Sequence, residues 1–325
     1  MRLKVLTALA AMAALLTQPA PAAELTKVRL AQNLGPISGI AIVAQARGIF
    51  EKHGLDVAVS NFTSGKQCLD TVVGGGADIA TTAEAPVTAA AMAGQPIAFV
   101  AGMEYSDDKT ITATSAGVKT RADLKGKKIA YTAGTGSEVY TAELLKSAGL
   151  KKEDVTLVNL RPQDMLAALA AGSIDGFDTW EPHIANAKKA MGDKVHELDT
   201  KGVYSETFNI VVMQSYLKEH PQVVADFLAA LIEAETWMKA NPKEAVEIVA
   251  KAVGMKPDEL QAIWGDYTFH VAIGDKQLSA LKSHAQWRLD SGNHPPGATM
   301  PDWSKVVFPD TLRTLDPARV TVPLS

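Results

Sequence analysis

The chemistry-bearing stretch of this chain is Gly134-Thr135-Gly136-Ser137, set between a short strand-like segment at 127–133 and a segment of helical period that closes at Gly149. Glycine takes positive φ at little cost, so the run reads as strand, turn and helix start. Ser137 is expected at the N-cap with Glu138 in the first turn and Val139, Leu144 and Leu145 on one face. Backbone N–H groups left unpaired at the positive end of a helix dipole can hold an anion. An ordinary strand-to-helix turn with no ligand is the plain alternative. Further on, Asp178, Trp180 and Glu181 cluster at the end of another apolar segment. An indole face suits an apolar or cationic group, and a carboxylate suits an amine.

Several chemistries are excluded. The glycine turn lacks the third glycine of a dinucleotide fingerprint, since Val139 stands there, and the next strand ends in Arg161 rather than an acid for a ribose. Ser137 is flanked by Gly136 and Glu138, which is not a nucleophile elbow. The seven histidines are scattered without metal-ligand spacing, and the single cysteine, Cys68, rules out an intramolecular disulfide or a cysteine metal site. A formal charge of −4 gives no basic footprint for nucleic acid. No catalytic residue, metal or cofactor is expected.

Residues 1–23 read as an export signal: Arg2 and Lys4, an apolar run at 5–16, then Ala20-Pro21-Ala22. Cleavage near Ala22 or Ala23 would take the formal charge from −4 to −6. The apolar run is too short for a permanent span, and no cysteine stands where a lipid would attach. A soluble, monomeric periplasmic protein is expected.

These residues need elements to position them, and the chain supplies two similar sets. Gly35-Pro36-Ile37-Ser38 corresponds to Gly134-Thr135-Gly136-Ser137, and Gly54-Leu55 to Gly149-Leu150. The strand at 56–62 corresponds to that at 154–160, and Asp78 with Glu84 to Asp175 with Glu181. Two βαβαβ units follow, at about 28–86 and 127–182, and such alternation predicts α/β layers with mostly parallel sheets. Ligands in such sheets lie beyond the carboxyl ends of the strands. Facing units would therefore offer two serine-bearing helix starts (Ser38, Ser137) and two strand-end carboxylates (Glu84, Glu181) to one cleft. Asp78 and Asp175 precede their strands and are expected to be structural. Crossings near 103–109 and at 203–213 would insert the second lobe into the first. The expected division is 24–105 with 208–325, and 106–207. An amphipathic helix is expected from Pro221 to Met238.

The runs LKGKKIAYTAGTGS and GLKKEDVTLVNLRPQDMLAALAAGSIDGFDTWEP, with AQARGIFEKHGLDV and GGADIA, resemble the nitrate/sulfonate/taurine-type periplasmic binding proteins of ABC importers. The resemblance covers essentially the whole mature chain. It implies a type II clamshell of two α/β lobes joined by a two-crossover hinge, one solute in the cleft, and delivery to an inner-membrane permease. It places the pocket at Gln32, Ser38, Thr82, Glu84, Thr135, Gly136, Ser137, Trp180, Glu181 and Asn209. The cluster of Glu84, Asp178 and Glu181 departs from the sulfonate pattern and would repel a bare anion such as nitrate. A zwitterion fits better, its acid group on the helix starts and its amine near a glutamate. A flat nitrogen heterocycle stacked on Trp180 is the alternative, and Glu181 capping its own following helix is the structural reading of that residue. A ligand-presenting sensor component is a further alternative.

Overall fold

Residues 26–33 open with β-branched and charged residues in alternation and close on the uncharged Leu30-Ala31-Gln32-Asn33, the pattern of a strand whose end is covered on both faces. In the computed structural model, which describes residues 24–322, this is β1 (Thr26–Asn33), whose last four residues are buried. The other strands are β2 (Leu55–Phe62), β3 (Ile79–Ala83), β4 (Ile97–Asp107), β5 (Lys109–Ala113), β6 (Lys128–Tyr131), β7 (Thr156–Asn159), β8 (Gly176–Thr179), β9 (Val195–Glu197), β10 (Ser205–Met213) and β11 (Thr268–Ala272). Among the described residues they form two sheets, ordered β11-β4-β10-β3-β1-β2 and β7-β6-β8-β5-β9. Helices pack against the first, among them Gly65–Val73 on β3 and β1 and Pro221–Ala240 on β11 and β2.

The internal repeat is real at the level of topology. In each sheet the first strand of the unit lies between the second and third, parallel to both: β3-β1-β2 and β8-β6-β7. The paired aspartates do the same work in both. Asp78 Oδ2 accepts from the Arg29 backbone N–H at 2.8 Å, and Asp175 Oδ2 accepts from the Lys128 N–H at 2.8 Å. Each ties the approach to the third strand onto the first.

The parallel expectation holds only inside the repeated units. β10 runs antiparallel between β3 and β4, β11 antiparallel to β4, and β5 antiparallel between β8 and β9. A chain that leaves one sheet and later returns must bring strands back in the opposite sense. The outward passage falls at Asp108, between β4 and β5, and the return lies between β9 and β10. β9 and β11 are short additions that the sequence reading did not include.

The first lobe's core gathers Leu30, Ile40, Phe50, Val100, Ile210 and Phe227, with Phe50 and Phe227 stacked at 5.0 Å. The helix Pro221–Ala240 buries Val224, Phe227, Leu228 and Leu231. Burying each such side chain stabilises the fold by roughly 1.5–3 kcal/mol. The second lobe has smaller cores, around Ile111, Met165 and Phe177 and around Ile129, Tyr140 and Leu144. The proposed export signal, residues 1–23, lies outside the described residues, and among those residues no helix is long and apolar enough to cross a membrane.

Candidate functional site

The helix after the glycine turn begins two residues earlier than the sequence suggests. It spans Gly136–Ser147, and Thr135 is its N-cap residue, in extended backbone. Ser137 therefore sits inside the first turn, and its hydroxyl is bonded within the second lobe. It accepts from the Thr132 N–H at 3.1 Å and donates to the Asp178 carbonyl at 2.7 Å. The turn is likewise supplied with anions by the chain itself. Glu138 Oε2 accepts from the Gly134 N–H at 2.7 Å, and the Glu206 carboxylate lies against Gly136.

Between the lobes lies a small cavity of about 10 Å³, room for about one water. The first lobe lines it with Asn33, Ile37, Ser64, Gly65, Lys66 and Phe208, and with Glu206 at the crossing. The second contributes Thr135 and Trp180. Gly134 lies against the aliphatic stem of Lys66, 3.2 Å from where a Cβ would stand. The two repeated units thus meet at the carboxyl ends of their strands.

Acids surround this meeting point. On the paired hinge strands, Glu206 stands opposite Ser106 and Glu104 opposite Phe208. Cross-strand partners share a face, so Glu104, Ser106, Glu206 and Phe208 project to one side. Asp108 follows at the crossing, 3.3 Å from the position of a Cβ on Gly136. Glu84 opens the helix Glu84–Met92, and its Oε2 accepts from the Thr207 N–H at 2.7 Å and hydroxyl at 2.9 Å. Glu84, Glu104, Asp108 and Glu206 are all buried. Burial drives the carboxyls of Glu104, Asp108 and Glu206 well above their ordinary values, with mutual repulsion adding to it. Burial likewise brings Glu84 to about 7, against the two Thr207 bonds.

Asp178 and Glu181 are differently placed. Asp178 accepts from the hydroxyls of Thr110 and Thr141, each at 2.7 Å, and burial brings its carboxyl to about 7. Glu181 accepts from Lys109 Nζ at 2.9 Å and from the Ala185 N–H at 2.9 Å. The latter bond is the helix-capping role foreseen as its structural reading. Lys109 also reaches Asp266 at 2.7 Å. Burial alone would lower the Lys109 pKa, but its two acidic partners hold it above the ordinary value.

The remaining candidates are buried on the first lobe. Gln32 donates to Asn61 at 3.1 Å, and the Ser38 hydroxyl lies 3.4 Å from that of Thr81. Thr82 pairs with Asn209 across β3 and β10. Of the ten candidates, Thr135 and Trp180 line the cavity itself, while Gly136 and Glu84 abut the acids beside it. Sequence reasoning missed Glu104, Asp108, Glu206, Phe208 and Lys109. One signal was present: an acid inside an otherwise apolar strand, as in Gly102-Met103-Glu104 or Glu206-Thr207-Phe208, is rarely buried without a partner.

A family model described as NMT1/THI5 like matches residues 36–245. The chain belongs to the NMT1/THI5-like family. It is 30% identical over 206 residues to the taurine-binding periplasmic protein of Escherichia coli (strain K12), covering 62% of this chain and 64% of that one. Among solved structures, the alkanesulfonate-binding protein SsuA from Xanthomonas axonopodis pv. citri, bound to MOPS, superposes with a TM-score of 0.76. The two are 20% identical over 89% of this chain and 100% of that one. The periplasmic aliphatic sulphonate binding protein SsuA from E. coli gives a TM-score of 0.72 at 22% identity, over 87% and 92% of the two chains. The fold of this NMT1/THI5-like chain is therefore the two-lobed periplasmic binding protein fold.

Proposed function

We propose that this chain is the periplasmic solute-binding component of an ABC importer, which closes two lobes on a small organic solute and presents it to an inner-membrane permease. The observation that carries the reading is the cavity between the repeated units, lined from both sheets and bridged by the β4–β5 and β9–β10 passages. A solute touching both lobes at once binds the closed form more tightly than the open one, and so shifts the equilibrium toward closure. The relatives' names point to a sulfonate- or taurine-like compound, and the acids at the cleft favour one that carries a positively charged nitrogen. Residues 24–105 with 208–325 and residues 106–207 serve as the two lobes of a monomer, after removal of an export signal at 1–23.

A second reading, a flat nitrogen heterocycle, rests on Trp180 and Phe208 lining the same cavity. Loss of binding in Trp180→Ala with retention in Ser137→Ala would favour it.

Titration calorimetry and small-angle X-ray scattering on the protein without residues 1–23 test the main reading. The expected result is saturable one-to-one binding of a small solute with a fall in the radius of gyration. A ligand at about a hundred times its Kd should add about 2.7 kcal/mol to stability. Binding without compaction, or no binding across sulfonates, amino acids, amines and heterocycles, would overturn it.

A further inference from the structure

The carboxyl groups at the cleft fall into two sets. Asp178 and Glu181 have protein partners, as described above. Glu104 and Asp108 have no hydrogen-bond partner for either oxygen among the described residues, and Glu84 has none for Oε1. Exposure of these three is 0%, 2% and 0%. Buried, unpartnered carboxyl groups at one point are strongly destabilising in their charged form unless something supplies donors and positive charge.

The surplus of acceptors is not confined to acids. Asn209 Oδ1 and Thr82 Oγ1, from facing positions on β10 and β3, are fully buried and also unpartnered among the described residues. The Asn209 amide is linked to the acids through Thr207. Its Nδ2 lies 3.3 Å from the Thr207 hydroxyl, which donates to Glu84 Oε2 at 2.9 Å. Glu206 carries the cluster to the wall of the cavity, beside Trp180 and Phe208.

The place where a solute's acid group would sit is taken. Glu138 accepts from the Gly134 N–H just before the helix Gly136–Ser147, and the Glu206 carboxylate lies against Gly136 at its start. A metal is not the natural occupant either: among the described residues no group of three or more His, Cys, Asp or Glu side chains is placed to hold one ion.

We propose that the recognised part of the solute is an organic cation with several N–H donors, an amine or amidine, seated against Glu84, Glu104, Asp108 and Glu206, and that the solute needs no acid group. This inference rests on the solute-binding reading. The cation supplies the missing donors, neutralises the cluster as the lobes close, and can lie against the Trp180 and Phe208 rings.

The test is calorimetry on the protein without residues 1–23, with four probes: 1,4-diaminobutane, benzamidine, taurine and ethanesulfonate. At least one of the two acid-free cations should bind at least as tightly as taurine, and ethanesulfonate should not bind. Glu104→Gln and, separately, Asp108→Asn should each weaken the cation about tenfold or more, as loss of a charge-assisted bond requires. Asp56→Asn, on the exposed edge of β2, should bind as the parent does. Unaltered melting of the ligand-free variants would show that they fold. The proposal is overturned if neither cation binds, or if both variants that fold bind cations as the parent does. Binding of ethanesulfonate or taurine alone, with compaction, would overturn it while leaving the solute-binding reading intact. Silence from all four probes and from the wider solute panel would fail both.

Discussion

Glu206, on the strand that returns to the first sheet, lies against Gly136 at the start of a helix in the second. Its carboxylate faces that helix start, and a Cβ on Gly136 would collide with Glu206 Oε1. A helix end suited to an external anion is thus faced by a carboxylate of the chain's own hinge. The same approach brings Asp108 to the cleft, so the acids are concentrated where the lobes meet.

Gly136→Ala should therefore hinder closure more than folding. The added methyl fits helical backbone but must displace Glu206. Solute affinity is expected to fall about tenfold, a loss of about 1.4 kcal/mol, with little change in the melting temperature of the ligand-free protein. Calorimetry paired with small-angle scattering checks this. Undiminished affinity with full compaction would show that the close approach is not needed.

Lys109 joins Glu181 of the second lobe to Asp266 beyond the helix Pro257–Ile263 of the first. Lys109→Gln leaves the Glu181 carboxylate buried without its ion partner, which should cost about 3 kcal/mol. Lys109→Gln with Glu181→Gln should recover part of that loss, because no unpaired charge remains. Denaturant unfolding of the single and double variants decides the matter: equal destabilisation in both would mean that the ion pair is not its source.

The buried acids predict a pH dependence of defined sign. Carboxyls in the unfolded chain titrate near 4. In the folded protein burial holds Glu84 and Asp178 at about 7 and Glu104, Asp108 and Glu206 well above their usual range. Nearby charges act in both senses: Asp107 and Asp178 add repulsion at Asp108, and Lys276 opposes the shift at Glu104. The folded state then binds more protons than the unfolded one. Its stability is fully present below the unfolded value and is lost as pH rises through the folded one. The ligand-free protein should melt several degrees higher at about pH 5.5 than at about pH 8. Glu104→Gln should flatten that slope and raise the melting temperature at the upper end. A melting temperature independent of pH in both proteins would contradict the assignment.

Asp175 offers a contrast. Asp175→Ala removes the acceptor of the Lys128 N–H and should cost about 1–2 kcal/mol of stability, with solute affinity unchanged. A selective loss of affinity, measured under conditions where the variant is folded, would place Asp175 in the binding site after all.

Local spacing determined much of this protein. Glycine turns, apolar periods and the hundred-residue echo between Asp56–Phe62 and Asp154–Leu160 specify two βαβαβ units, because strand and helix periods are written along the chain. The structural aspartates and the amphipathic helix at Pro221 followed from the same local logic. The start of the helix Gly136–Ser147 was misplaced by two residues, since Thr135 in extended backbone, rather than Ser137, precedes it. Tertiary structure alone decided which acids share the cleft. Glu84, Glu104, Asp108 and Glu206 come from a helix start, two strands and a crossing, separated by up to 122 positions in the sequence. Whether a carboxylate is paired, as Glu181 is by Lys109, or left without a partner, as Glu104 is, depends on through-space distances of a few ångströms. Only the folding of two sheets against each other sets those distances, and the strength of an electrostatic interaction depends on them and on burial, not on position in the chain.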